Sequence, residues 1–301
     1  MKFLALLITL AIAMLFPFRP LLHRDAFFIA FRDWMARHAP SEPGSTLSIL
    51  LGALLPALLI ALLLALLQGW LLGLVGLVAD CAILLYSLER RDLLADLSRY
   101  RLAWSRGDAH AAWRIAIEAR LLPTECTPTT AIELNRLVAQ GIAVRALSGL
   151  FTLLFWFFLL GPAAVLFLRL IQLPTAESGV ERLEPGSASG RLLELAQWLP
   201  MRLLGGCFML AGDWGRAWPC WSGSLTDFDS SAADLIGRLA LAAAAIDQPL
   251  DLSDAVSLDS EPSASAAVVK TGNAQIEAMT ALLRRGLIIW VTLFALLTLL
   301  G

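Results

Sequence analysis

The chain has 301 residues, of which 58% are hydrophobic and only 16% are charged, whereas about 25% of the residues in a typical soluble domain are charged. This composition excludes an ordinary soluble globular protein and predicts an integral membrane protein. The formal net charge of −2 gives no general attraction to nucleic acid, so no nucleic-acid partner is expected.

The first predicted region covers residues 1–46. Its apolar run, 3–16, contains Ala11 and Ala13, which resemble a signal-peptidase site. Cleavage there would leave an apolar core too short for a secretory signal peptide. We therefore expect an uncleaved helix that crosses the membrane or lies in its interface, followed by a polar loop over 19–46 with four arginines.

The second region, 47–88, is apolar at all but a few positions. Because about 20 helical residues span the hydrocarbon core, a segment of roughly twice that length predicts a transmembrane hairpin with its turn at 68–70. Asp80 lies in the second span, and an acid inside a membrane marks a candidate functional site. The alternative is a structural carboxylate, paired or protonated inside the helix bundle.

The third region, 89–146, is predicted to be a small helical domain. Leucine and aromatic residues recur at spacings of four, three and four between positions 93 and 104, which is typical of an amphipathic helix. Gly107 ends this helix, and Asp108 is placed to cap the next one. Prolines end that second helix, and a third is predicted to begin near Thr129.

The orientation of this helical domain follows from its arginines. Residues 89–146 contain nine arginines and seven acidic residues, and arginine-rich loops stay on the cytoplasmic side of the membrane. The domain is therefore predicted to be cytoplasmic. Arg284 and Arg285 favour the same side for the start of the last helix, so an even number of crossings is expected between them.

The fourth region, 147–214, is interpreted as a broken membrane helix, a linker and a segment reading WLPMRLLGGCFMLAGDW. The break is expected at Gly161 and Pro162, and the linker at 174–190. Either the last segment crosses the membrane or 147–171 is a re-entrant hairpin. We favour the hairpin, because a crossing would carry Arg202 into the bilayer at a cost of about 2.5–3.5 kcal/mol at its centre.

The remaining chain is predicted as a helical segment over 215–246, an acidic flexible linker and juxtamembrane segment over 247–285, and a C-terminal membrane helix over 286–301. Asp227, Asp229 and Ser230 offer caps within the first of these. The predicted fold is thus an all-α integral membrane protein, a bundle of about four to six membrane segments with a cytoplasmic helical domain.

Arg202 is the most unusual residue of the apolar segments. Pro200 favours a helix start, which would place Arg202 in the first turn, where a cation is unfavourable by about 0.3–1 kcal/mol. We therefore expect a partner for its charge, either a bound anion or an acidic side chain; the acidic candidates are Asp80, Asp108, Asp227 and Asp229. The alternative is an interfacial anchor or a partner of C-terminal helix carbonyls.

Several blocks resemble the AmpE family of bacterial inner-membrane proteins. They read LLHRDAFFIAFRDW, LLFWFFLLGPAAVLFLR, WLPMRLLGGCFMLAGDWGRAWPCW and SLTDFDSSAADLIGRLALAA. This resemblance implies a multi-pass regulatory protein of the bacterial cytoplasmic membrane. It implies a link to peptidoglycan recycling and β-lactamase induction, in the pathway of an AmpD-type amidase.

The AmpE family in turn resembles the CobD/CbiB cobinamide synthases, which share the LFW motif and a block that reads PMRL here. The acidic motifs of those synthases fall at Val144, Arg145 and Ser148, where this sequence has no carboxylate, and near Thr175, within 172–176, where it has no Asp or Asn. Amide synthesis needs such acceptors. We therefore expect a non-enzymatic regulator, with an amide synthase or a membrane scaffold for a permease or amidase as the alternatives.

A retained pocket would bind a muropeptide or another anionic small molecule, because arginine holds carboxylates by paired hydrogen bonds. The candidate ligand-binding residues are Arg202, Trp198, Asp213, Trp214, Arg99, Arg106, Asp108 and Asp80. The alternatives are an interfacial aromatic belt for the tryptophans and a solvated or lipid-facing surface for the arginines. No catalytic residue, cofactor or metal is predicted, because the cysteines and histidines show no ligand spacing.

Overall fold

The computed structural model describes residues 2–15, 53–62, 74–88, 93–177, 188–246 and 266–300. Within these ranges the regular structure is helical and there is no strand, so the predicted all-α class is confirmed, while the number of membrane segments stays a prediction. The helices are α1 (Lys2–Leu15), α2 (Ala53–Leu62), α3 (Leu74–Ser87), α4 (Leu93–Ser105), α5 (Ala109–Glu118), α6 (Ala131–Ala146), α7 (Thr152–Leu160), α8 (Pro162–Glu177), α9 (Ala188–Ala211), α10 (Trp214–Thr226), α11 (Ala232–Ala243) and α12 (Ala266–Leu300).

The chain divides into two compact units. Unit 1 contains residues 1–90, 149–196 and 294–301, and unit 2 contains 91–148 and 197–293. A π-helical turn continues α6 directly into α7, so the predicted domain boundary at 146 falls inside a helical run. Among the residues that the structure describes, two helical runs are long and apolar enough to cross a membrane: α6 with α7, and α12.

Unit 1 is built from apolar helices. α1, α3 and α7 contact one another, and α3 also packs on α8. Ala53 of α2 joins Leu166, Leu170 and Ile171 of α8 in a buried cluster. The predicted break is confirmed: α7 ends at Gly161, whose φ of 94° requires a glycine-like backbone, and α8 follows at once.

Helices α5, α6 and α11 of unit 2 begin at or close to the residues predicted from the sequence. Asp108 caps α5 by accepting a hydrogen bond from the Ala111 N–H at 2.8 Å. Thr130 caps α6, where a start near Thr129 was expected. For α11 the cap is Ser231, one residue beyond the three candidates, while the Asp227 side chain accepts N–H groups in the preceding turn.

Pro200 does not begin a helix, and that prediction is wrong. It lies inside α9, where it removes the hydrogen bond that would satisfy the carbonyl oxygen of Ala196. The indole N–H of Trp156 donates to this oxygen at 2.9 Å. A tertiary contact thus replaces the hydrogen bond that the proline removes. Because α9 begins at Ala188, the expectation that Arg202 lies in a first helical turn is also wrong.

The last helix begins at Ala266, not at Gly286, so the predicted start is wrong by twenty positions. Its first half is amphipathic: Val268, Ile276, Met279 and Leu282 are buried, and they recur at helical spacing. The predicted turn at 68–70, the loop at 19–46 and residues 178–187 and 247–265 lie outside the described residues.

Candidate functional site

Arg202 lies in the interior of α9 and its side chain is buried, with 6% of the residue exposed. Its Nη1 donates to the carbonyl oxygen of Trp198 at 3.1 Å, and its Nη2 donates to the carbonyl oxygen of Asp227 at 2.7 Å. The guanidinium carbon lies 4.0 Å from the ring centre of Trp198 and 5.8 Å from that of Phe228. The two rings stack at 5.6 Å, so the cation is covered by an aromatic pair.

The Nη2 group of Arg202 binds the C-terminal end of helix α10. Asp227 is the C-cap of α10, and a cation is favourable at that end of a helix. The structure therefore shows Arg202 as a partner of one C-terminal helix carbonyl, as in the alternative interpretation, while its other carbonyl partner lies inside α9. Burial lowers the pKa of Arg202, and the nearby charge of Asp227 opposes that effect.

The carboxylate of Asp227 serves other groups. It accepts hydrogen bonds from the N–H groups of Asp229 and Ser230 and lies 3.9 Å from Arg238. Hydrogen bonding from Ser230 in the first place, and then from Asp229, holds the pKa of Asp227 below its usual value. Asp227 thus contributes a carbonyl to the Arg202 site and a carboxylate to the turn that precedes α11.

Asp213 and Trp214 form the turn between α9 and α10. The Asp213 carboxylate accepts the Arg216 N–H at 3.2 Å and caps α10, and its own N–H donates to the carbonyl of Ala243. Trp214 is half exposed and stacks on Trp218 at 5.5 Å. These contacts place Asp213 in a helix cap and Trp214 in an exposed aromatic strip.

The other four candidates are spread over both units. Arg99 is exposed and pairs with Glu118 at 3.3 Å, linking α4 to α5. Arg106 is exposed in the turn that follows α4, and Asp108 caps α5. Asp80 is half buried in α3 of unit 1. The structure therefore brings Arg202 and Trp198 together, and it uses Asp108 and Asp213 as helix caps.

A buried ion pair was missed by the sequence analysis. Arg145 Nη1 lies 3.0 Å from Asp96 Oδ2, and the two side chains are 3% and 11% exposed. The same nitrogen donates to the carbonyl of Ala119 at 2.7 Å. A signal was present, because Asp96 lies one turn from Leu93 and Tyr100 on the apolar face of α4.

A polar layer accompanies this pair. The Tyr100 hydroxyl donates to Asn135 Oδ1 at 3.3 Å, and Asn135 Nδ2 donates to Gln275 Oε1 at 2.6 Å and to the carbonyl of Gly272. The Trp104 indole donates to the carbonyl of Val269. Burial raises the pKa of Tyr100. The layer joins α4, α6 and the first half of α12 through neutral hydrogen bonds.

These clusters consist of hydrogen bonds and ion pairs among the protein's own groups. In the described part of the chain, no group of three or more His, Cys, Asp or Glu side chains is placed to hold a metal ion. The buried carboxylate of Asp96 is engaged by Arg145. Arg202 keeps unused donors, because a guanidinium has five N–H groups and its Nε has no hydrogen-bond partner among the described residues.

The chain resembles known proteins at two levels, a family match over nearly its whole length and a match to a curated protein over half of it. The family described as "Regulatory signalling modulator protein AmpE" matches residues 1–298. Cobalamin biosynthesis protein CobD of Chromobacterium violaceum is 28% identical over 159 residues, which are 50% of this chain and 48% of that protein. The chain thus matches about half the length of this curated relative. No solved structure matches.

Proposed function

Because the chain belongs to the AmpE family of regulatory signalling modulators, we propose that it is a membrane regulator linking peptidoglycan recycling to β-lactamase induction. The observation that carries this proposal is the family match, which extends over residues 1–298 of the 301. A match of that extent includes both compact units and the Arg202 site.

The same proposal places the protein in the bacterial cytoplasmic membrane as a multi-pass protein. Support comes from the helices of unit 1, which expose large aliphatic side chains that water would solvate poorly. Their exposed fractions are between 58% and 67%, for Leu58, Leu59, Leu62, Leu74 and Val78. A lipid environment accounts for such residues on these helices.

The proposed role is regulatory and not catalytic. Position 145 falls on an acidic motif of the related amide synthases, and here it carries Arg145, which is committed to a buried pair with Asp96. The carboxylates of that motif would fall at positions 144 and 148, where this chain has Val144 and Ser148, so the base that deprotonation of an amine needs is missing. This supports a protein that keeps a related scaffold for another purpose.

The ligand site that we propose is centred on Arg202. Two of its donors bind carbonyl oxygens, which leaves donors for a carboxylate of a muropeptide or another anionic small molecule. The exposed ring of Phe228 and the partly exposed ring of Trp198 lie over the guanidinium. A ligand that displaces Phe228 would reach the cation and stack on Trp198.

Calorimetric titration of the purified full chain with an anhydromuramyl peptide tests this site. We expect saturable binding that is lost in Arg202→Leu and weakened in Arg202→Lys, which keeps the charge without the planar fork. Arg238→Leu is the matched control, since Arg238 is exposed and lies 3.9 Å from Asp227. Equal binding by wild type and Arg202→Leu would exclude the site.

An amide synthase is the second candidate function, and the identity to CobD favours it. Its test is complementation of a strain that lacks its cobinamide synthase. We expect no growth on cobyric acid from this chain, because Val144, Arg145 and Ser148 provide no carboxylate. Rescue of that strain would replace the regulatory proposal.

A further inference from the structure

Helix α10 exposes a strip of large apolar side chains. Trp214, Trp218 and Leu225 are 51%, 45% and 41% exposed. Since successive residues are rotated by about 100°, these three positions lie within roughly 40° of one another around the helix. The rings of Trp214 and Trp218 stack at 5.5 Å, so the strip is an ordered surface.

This strip is not the face by which α10 is held in the protein. Ala217 and Ser224 are buried, and the Trp221 indole donates to the carbonyl oxygen of Arg202 at 2.9 Å. A side-chain carbon on Gly205 would lie only 3.0 Å from the Trp221 ring, so Trp221 packs directly on α9. The exposed strip adjoins this packed face and is presented rigidly by it.

The opposite side of α10 is small and polar. Gly223 has nothing within 4 Å of the position its side chain would take, and Cys220 is exposed. Arg216, the one charged residue of the helix, follows Trp214 by two positions and so lies about 200° away. Its charge pairs with Asp213 at 3.4 Å. The helix is therefore amphipathic outside its packed face.

A second exposed apolar strip lies on the neighbouring helix of the same unit. Leu199, Leu203 and Leu210 of α9 are 41%, 37% and 63% exposed. Aliphatic and indole side chains in this amount are poorly solvated by water, and they require a covering phase or partner. Tryptophan is enriched where a bilayer meets water, because its ring is apolar and its N–H is polar.

We propose that α10 lies in the interface of the phospholipid bilayer, with Trp214, Trp218 and Leu225 directed towards the acyl chains and Arg216 directed towards water. Bilayer lipid is the occupant because the strip combines indoles with aliphatic side chains, carries no charge of its own, and belongs to a chain with helices able to cross a membrane. This goes beyond the proposed regulatory role, which does not require α10 to touch lipid.

Site-specific quenching tests the proposal in the full chain reconstituted in phosphatidylcholine vesicles. An environment-sensitive fluorophore is attached at position 218 in Trp218→Cys with Cys126→Ser and Cys220→Ser. The matched control carries the fluorophore on native Cys220 with only Cys126→Ser. Cys81 and Cys207 are buried, and burial raises the pKa of Cys207 to about 11, so neither competes for the label.

An interfacial helix places its apolar face about 5–10 Å into the headgroup and acyl boundary, so we expect roughly twofold quenching of the label at 218 by shallow nitroxide lipids. The label on Cys220 should respond instead to aqueous iodide. Leu225→Cys places a label on the same strip without removing a tryptophan, and it should behave like position 218.

Two results would overturn the proposal. The first is quenching of the labels at 218 and 225 by iodide as strongly as the label on Cys220, which would place the strip in water. The second is protection of both strip labels from lipid and aqueous quenchers alike. That result would mean that a protein partner or a second copy of the chain covers the strip.

Discussion

Arg202 shows how a cation is accommodated inside a largely apolar helix. Its guanidinium binds two carbonyl oxygens and lies against the face of Trp198. One of those carbonyls belongs to the C-cap of α10, where a partly buried cation contributes up to about 2 kcal/mol. The arginine therefore ties α10 to α9 whether or not a ligand is bound.

Arg202→Leu should destabilise the protein by about 1–3 kcal/mol, because it leaves the carbonyl of Asp227 without its donor in a partly buried place. Thermal unfolding in detergent, followed by helical circular dichroism, measures the loss. Arg202→Lys should recover part of it. An unchanged unfolding temperature for Arg202→Leu would show that the two hydrogen bonds contribute nothing.

The pair of Asp96 and Arg145 carries a second residue-scale prediction. Removing either partner leaves a buried charge, so Asp96→Leu and Arg145→Met should each cost about 3–5 kcal/mol. The double variant should be more stable than the sum of the two losses predicts, because no charge then remains unpaired. Denaturant unfolding of all four proteins gives the coupling energy, and strictly additive losses would contradict this account.

Among the elements, α12 shows what holds a candidate membrane helix to its unit. Its first half contacts α4 and α6 through Trp104 and Asn135, which donate to the carbonyls of Val269 and Gly272. A side-chain carbon on Gly272 would lie 2.5 Å from Trp104 Nε1, and Trp104 is almost fully buried. The absence of a side chain at Gly272 thus leaves the space that the Trp104 ring occupies.

Gly272→Ala should destabilise unit 2 by about 1–3 kcal/mol through this overlap. Gly223→Ala is the matched control in the same unit, because its side chain would meet nothing within 4 Å. Alanine is favoured over glycine in a helix by about 0.5–1 kcal/mol, so the control should be neutral or stabilising. Gly272→Ala should therefore lower the unfolding temperature, while Gly223→Ala should leave it unchanged or raise it. An equal decrease in both variants would contradict the close packing of Trp104 on Gly272.

Elements with local signals were predictable from the sequence. The caps of α5 and α6 depend on residues within one turn, and the break at Gly161 depends on two adjacent residues. The interior position of Pro200 was not predictable, since its lost hydrogen bond is replaced by Trp156, forty residues from Ala196 in the chain. The start of α12 was missed although Val268, Ile276 and Met279 recur at helical spacing in its first half. Gly272 is a weak helix former, and its contact with the distant Trp104 is not visible in the sequence.

In the candidate site, too, local contacts could be predicted from the sequence and distant ones could not. Trp198 and Arg202 share one helix face at a spacing of four, so their contact could be expected. The approach of Asp227 and Phe228 depends on how α10 packs on α9, which a single sequence does not reveal. The sequence makes Asp213 and Asp108 ligand candidates, whereas the structure uses both as helix caps.

At the scale of the whole molecule, the arginines of 89–146 fix the expected orientation. Several are exposed in the structure, among them Arg99, Arg106, Arg114 and Arg136. A reporter fused after Arg120 should therefore read as cytoplasmic: a fluorescent protein should be active and alkaline phosphatase inactive. As a control, Ser98→Cys, at an exposed position of α4, should resist impermeant reagents added outside. Labelling of that cysteine from the periplasm alone would show that residues 89–146 are periplasmic and would contradict this prediction.

The central claim is that this protein regulates the response to β-lactams, and β-lactamase induction tests it most directly. The measurement is β-lactamase activity against the concentration of an inducing β-lactam, in the native host with the coding sequence deleted and then restored. We predict an altered induction curve in the deletion strain, return to the original curve with the wild-type chain, and incomplete return with Arg202→Leu at equal membrane abundance. Identical induction curves with and without the protein would contradict the claim.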